Sequence, residues 1–422
     1  MTHNRKETGV DVKGNSWLLL LVISTAYIAV TINIQGFMGL LPFVQAEFML
    51  TRAQAGLYTT FYFLSATLVA TFSGRVVDLI GSKRGMILGV SCLGVLFLLH
   101  AVAPFFNLIL LLAFFTGLGF SLITPSANKA VMESVAPEKR AVSMGIMQSG
   151  LGVGGFLGAS LLPLAGGLWG WRVGIALSGI TALVMGLIIY RYFDDSSTLE
   201  TDENEERGGN NESFLRVVGI VFGNRYLLCV CIIGFFFGLV FSSVTAHFAL
   251  FMNTDLGFSR AFSGFGLGLL QIGGIIGRPL WGLMDDRLLG GHRMKGLFLL
   301  GLLIAVLLVI FGLLIHLQLP WPMILILAFL LGATSLGTSG LHLTGVAELS
   351  PREYTGIATG VALFFTRAGV VISPPLFGYL ADMTSNYTLS WYFLGGITLV
   401  SSLFIYYISQ RIYQGKAKRA DI

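Results

Sequence analysis

Two arginines stand where arginine is costly. Arg278 lies in "GGIIGRPLWGLMDD" (Gly273 to Asp286) and Arg367 in "ALFFTRAGVVISPP", both inside apolar runs long enough to cross a bilayer. A guanidinium stays protonated at physiological pH, so it cannot escape burial by losing its charge. It needs a water-filled cavity or an anionic partner. The acids do not supply one: the 21 Asp and Glu fall in tails, loops or at the ends of apolar runs, never at their middles. Arg278 is eight residues before Asp286, or about 12 Å along a helix, and could extend toward that edge. Arg367 is about twelve residues from either end of its run and has no such route. The chemistry open to both is to clamp an anion, most simply a carboxylate, through charge-assisted hydrogen bonds.

Other polar residues in apolar runs are weaker candidates for the same site. Gln271 precedes Arg278 by two helical turns on one face, within reach of a shared ligand. His247 could bind cargo or carry a proton, or simply pack with its ring nitrogens bonded. Asn33, Gln35 and Asn128 are further cavity candidates. Ser335, Ser339 and His342 form a polar stripe that reads first as helix–helix contact. The phenylalanine runs "FFFG" and "LAFFTG" read as packing or lipid-facing surface, and His100 and His316 as interfacial. Cys92, Cys229 and Cys231 have neither a paired nor a zinc-binding spacing. No nucleotide, metalloprotease or nucleophile motif is present, so no enzyme and no cofactor is expected.

The elements that must position these residues are membrane helices. The chain is 55% hydrophobic and only 11% charged, far below the roughly 25% charged of soluble domains. Glycine is abundant, at 54 residues, as suits backbone-to-backbone packing of membrane helices. Twelve spans are expected: 17–43, 54–77, 85–104, 107–132, 142–165, 172–192, 225–252, 262–283, 295–316, 321–346, 355–380 and 389–411. The first is too long for a signal-peptide core and is expected to be retained. Of the 26 Lys and Arg, all but five fall on one side. Arg52, Arg172 and Arg260 are in loops opposite, and Arg278 and Arg367 are within spans. This bias puts both termini in the cytoplasm, in a bacterial inner membrane, and removes any need to read the net charge of +5 as nucleic-acid binding.

The polar segment 194–224, with "DDSSTLETDENEERGGNNES", reads as a cytoplasmic linker between an N-terminal bundle (1–193) and a C-terminal bundle (225–422). The halves echo each other. "GRVVDLIGSKR" (Gly74 to Arg84) parallels "GLMDDRLLGGHR" (Gly282 to Arg293), and "APEKRAVSMG" parallels "LSPREYTGIATG". The fold class is all-α, with twelve membrane helices in two pseudo-symmetric six-helix bundles, and such repeats place a site between them near mid-membrane.

Gly74, Asp78, Gly81, Lys83 and Arg84 match the GxxxDxxGx[RK][RK] loop of the major facilitator superfamily, and the chain resembles that family over essentially its whole length. The second copy keeps Gly282 and Asp286. The resemblance implies gating roles for Gly74, Asp78, Gly81, Lys83, Arg84 and Asp286. "GRPLWG" with a basic residue mid-way along span 11 further resembles the oxalate–formate exchanger and monocarboxylate transporter branch. In that branch an Arg before Pro contacts the substrate carboxylate, a position Arg278 occupies. A second charge in span 11 falls at Arg367, an arginine replacing the exchanger's lysine. The glycine-rich span 5 resembles the antiporter motif only partly, with Leu162 in place of a glycine. Ala113 stands where drug/proton antiporters carry an arginine. The expected function is secondary transport of a small organic anion by alternating access, through anion exchange or proton coupling. The binding set is Arg278, Arg367, His247, Gln271 and Asn33. The partners are the anion, protons or a counter-anion, and lipid; a monomer is the default. The alternatives are an exporter of amphipathic drugs or metabolites and, less favoured, a non-transporting receptor.

Overall fold

In a bilayer every backbone N–H and C=O must be bonded within the chain, so apolar runs of this length fold as helices. The computed structural model describes residues 15–193, 219, 223–351 and 354–420. The expected linker, residues 194–224, lies outside the described residues apart from Gly219, Gly223 and Asn224.

Fourteen helices are described. The N-terminal half contains α1 (Asn15–Phe48), α2 (Arg52–Leu68), α3 (Ala70–Ile80), α4 (Ser82–Ala101), α5 (Phe106–Ser134), α6 (Pro137–Trp169) and α7 (Trp171–Tyr192). The C-terminal half contains α8 (Arg225–Thr254), α9 (Arg260–Leu288), α10 (Arg293–Leu317), α11 (Trp321–Ser335), α12 (Thr338–Leu349), α13 (Thr355–Thr384) and α14 (Thr388–Ala420). Among the described residues, 11 helical spans are long and apolar enough to cross a membrane, or 12 when the bent pair α2–α3 counts as one. This is the expected all-α fold.

Two spans depart from the uniform helices expected. The second bends by 62° between α2 and α3, without proline or glycine at the bend. The tenth is interrupted by a turn at Leu336–Gly337, between α11 and α12, just after the Leu336 N–H makes its bond to the Gly332 carbonyl. Helix ends are fixed by local chemistry. Thr51 and Gln54 form a reciprocal capping box at the start of α2. Asn224 accepts from the N–H of Tyr226 and Leu227 at the start of α8. Gly81 and Gly170 close their turns at φ 89° and 88°, where a side chain would be strained.

The hydrophobic core shows how the halves meet. On the side away from the termini, one cluster includes residues of both halves, from Phe37 and Tyr58 to Leu270, Phe311 and Trp391. On the termini side it is divided. One cluster is built from the N-terminal half around Ile23, Met86 and Ile189, another from the C-terminal half around Leu227, Leu297 and Ala362. His100, expected at an interface with water, is fully buried against Phe37, Tyr58 and Phe97. Its Nδ1 lies 2.7 Å from the Leu96 carbonyl, which satisfies that nitrogen inside the core.

Candidate functional site

The two arginines lie on the faces by which the halves address each other. Along α9, the residues against α6 are Gly264, Gly268, Gln271 and Ile275, which pack on Pro163, Ser160, Gly155 and Gly152. Their three- and four-residue spacing marks one helix face, and Arg278 is the next position on it. Along α13, Gly378 and Pro374 pack against Arg52 and Gly56 of α2. One turn on, the Val371 carbonyl accepts from the Thr60 hydroxyl at 2.6 Å. Arg367 is four residues further along that stripe. Both arginines thus sit where the shared core gives way to the divided one, each one turn beyond a contact joining the halves.

Neither arginine has a carboxylate partner among the described residues. Arg278 donates from Nε to the Leu336 carbonyl at 3.3 Å. Leu336 is at the break in the tenth span, and the indole N–H of Trp281, one turn along α9, bonds the Ala333 carbonyl at 2.9 Å. The break therefore leaves carbonyls that α9 satisfies, and this ties the guanidinium into position while its terminal nitrogens stay available. Gly277 allows the approach, since a Cβ there would overlap the backbone of Ala333.

Arg278 lines a cavity of about 260 Å³ with Ser335, Thr338, Ser339, His342 and Thr366 as its other polar residues. The rest of the wall is apolar: Phe237, Phe241, Leu336, Leu343, Leu363 and Val370. Ser335, Thr338 and Thr366 donate to the carbonyls of Leu331, Ser335 and Ala362 in their own spans, leaving oxygen lone pairs to accept. The His342 Nε2 lies 2.8 Å from the Val230 carbonyl. A carbonyl only accepts, so Nε2 carries the proton and Nδ1 of the neutral ring is an acceptor. Gly234 makes the room. A Cβ there would fall 2.5 Å from the Thr366 hydroxyl and 2.6 Å from the His342 ring. The polar stripe 335–339–342 is thus part of the cavity wall as well as helix contact. Phe237 of "FFFG", expected as packing or lipid-facing surface, is in that wall too.

The other expected binding residues, Arg367 among them, lie outside this cavity lining. Gln271 lies in the contact between halves against Gly155, with its Nε2 unpartnered. Asn33 is fully buried on α1, donating to the Ala29 carbonyl at 2.7 Å, with Oδ1 unpartnered. His247 is fully buried outside the cavity lining. Its Nε2 is 2.8 Å from the Pro374 carbonyl and its Nδ1 is 3.0 Å from the Tyr387 hydroxyl.

The loop residues of the signature form networks within each half. Asp78 pairs with Lys129 of α5 at 3.6 Å, and Lys129 also reaches the Val77 and Asp78 carbonyls. The Lys83 ammonium lies 5.8 Å from the centre of the Tyr190 ring, Arg84 is exposed, and Gly74 and Gly81 have open space where a Cβ would be. Asp286 shares Arg293 with Asp285 and Glu348, at 2.6, 2.8 and 3.0 Å. Asp285, not Asp286, is the buried member, its side chain 1% exposed.

Away from the termini the halves are latched by charge. The N–H groups of Arg52 and Ala53, at the start of α2, each donate to one oxygen of Asp382 at 2.9 Å. The Arg52 guanidinium reaches Asp255 at 3.3 Å and the Ser385 carbonyl at 2.9 Å. Asp255 accepts in turn from the N–H of Tyr387 at 2.6 Å.

Two bundles of membrane-spanning helices that meet face to face are the build of a membrane transporter, not of an enzyme. The chain belongs to the Major Facilitator Superfamily, whose profile matches residues 23–319 and 248–420. It is 26% identical over 370 residues to a gentisate transporter of Corynebacterium glutamicum, covering 85% of this chain and 79% of that one. It is 24% identical over 395 residues to the membrane sensor protein UhpC of Salmonella typhimurium, covering 86% and 85%. Among solved structures it resembles a bacterial homologue of the human lysosomal transporter Spinster, with TM-score 0.73 at 16% identity over 94% of this chain and 97% of that one.

Proposed function

We propose that the chain moves a small organic anion, most simply a carboxylate, by alternating access, in the manner of the oxalate–formate and monocarboxylate branch it resembles around Arg278. The observation that carries this reading is the pair of arginines at the closing edge of the two halves, both without a carboxylate among the described residues. An anion bound at Arg278 offsets the positive charge the two arginines bring to this edge and lowers the cost of closing the halves over the site. The gentisate relative supports an anionic cargo. The charge bias supports cytoplasmic termini in a bacterial inner membrane, with both signature loops at the cytoplasmic gate. Anion exchange and proton coupling are both compatible with this site.

The sensor relative favours a second reading, in which the anion binds and reports but is not carried. Reconstitution separates the two. Wild-type protein in liposomes loaded with carboxylate should show counterflow, whereas a sensor binds without flux. Arg278→Gln should lower transport by on the order of tenfold or more, from loss of a charge-assisted contact, and Arg367→Gln should lower it by weakening the positive field at the closing edge. Full transport by both variants, or a neutral or cationic cargo, would falsify the clamp.

A further inference from the structure

We infer that the cargo is a monoanion with an apolar body about the size of one ring, held with its charge at Arg278 and its body against Phe237, Phe241 and Leu363. This deepens the proposed function and rests on it. Among the residues lining the cavity Arg278 is the one cation, so the wall supplies a single strong anchor for negative charge. His342 sits in the same wall with its protonated nitrogen committed to the Val230 carbonyl. The nitrogen left over is an acceptor, and an acceptor repels a second carboxylate while tolerating a donor. Ser335, Thr338, Ser339 and Thr366 add hydroxyls, and the rest of the wall is aromatic and aliphatic, with Phe237 and Phe241 from α8 and Leu363 and Val370 from α13.

A sugar phosphate would need hydrogen-bond partners around its ring. The hydroxyls turned toward Phe237, Phe241 and Leu363 would lose water without replacement, at a cost for each. A small hydrophilic dianion such as oxalate would leave the apolar wall unfilled. An apolar body instead gains roughly 0.8 kcal/mol per buried CH₂ equivalent. The size also fits: an apolar cavity of about 150 Å³ accommodates benzene, and about 260 Å³ leaves room for a carboxylate beside the ring.

The test measures direct binding to the purified full chain of benzoate, acetate, oxalate, glucose 6-phosphate and the neutral benzyl alcohol. Benzoate should bind on the order of tenfold or more tighter than acetate, and tighter than oxalate or glucose 6-phosphate. Two variants locate the effect: Phe241→Ala, which removes a ring from the wall, and Leu363→Ser, at a side chain 37% exposed that can become polar without unpacking the core. Each should shrink the benzoate-to-acetate ratio severalfold, with acetate binding as an internal control for folding. Equal or tighter binding of acetate, oxalate or glucose 6-phosphate overturns the inference, as does a ratio unchanged in both variants. Those results leave the anion site standing if benzyl alcohol still binds more weakly than benzoate. If benzyl alcohol matches benzoate and Arg278→Gln changes neither, the anion reading itself fails.

Discussion

At the scale of the residue, Arg278 has two tasks that its shape makes compatible. Nε holds the Leu336 carbonyl, while the far end of the planar fork can bind a carboxylate with two parallel bonds. Lysine presents one point of donation on a flexible stem and cannot do both. Arg278→Lys should therefore keep the charge of the site and still weaken anion binding by roughly 1.5–3 kcal/mol, read as an increase of about tenfold or more in Kd. Wild-type affinity in that variant would show that charge alone suffices and that the bond to Leu336 is incidental. Both arginines are legible in the sequence because a charge in an apolar run has few explanations. His342 is not, because Ser335, Ser339 and His342 recur at the spacing of any packed helix face. What turns that stripe into cavity wall is the missing side chain at Gly234 and the break at Leu336, and neither has a distinctive local signature.

At the scale of the element, the spans and their order follow from length and apolarity, and the structure differs where two of them bend. The bend between α2 and α3 falls in "LVA", and the break between α11 and α12 falls in "SLG", with no proline in either. Such breaks depend on what a neighbouring helix offers to the freed carbonyls, which a single span's sequence does not contain. Here α9 offers Trp281 to Ala333 and Arg278 to Leu336. Trp281→Phe keeps most of the ring and removes the N–H, leaving the Ala333 carbonyl without that donor. The expected loss is about 1–2 kcal/mol of stability, seen as a lower unfolding midpoint in detergent and faster backbone exchange around residues 333–340. Exchange that stays at the wild-type rate there would show that the break is held by helix packing alone.

At the scale of the molecule, the state described is held shut on the side away from the termini. The shared core and the latch of Arg52, Asp255 and Asp382 both lie on that side. The latch was not legible in the sequence. Its partners are separated by 203 and 330 positions, and each reads singly as an ordinary loop charge. Alternating access requires the latch to break, so its strength sets how often that side opens. Asp382 contributes most directly: its two oxygens accept the first N–H groups of α2, where a carboxylate also meets the positive end of the helix dipole. Asp382→Asn keeps the shape but removes the charge and one acceptor. The loss of about 1.5–3 kcal/mol from the closed state alone should raise the far-side-open population by on the order of tenfold or more. Spin labels at Met49 and Met383, 89% and 63% exposed on opposite halves, report this directly once Cys92, Cys229 and Cys231 are replaced. The variant should show a growing long-distance population, and the anion, by favouring closure, should alter its weight. A distance distribution identical to wild type would mean that the shared apolar core, and not the charge latch, keeps this side closed.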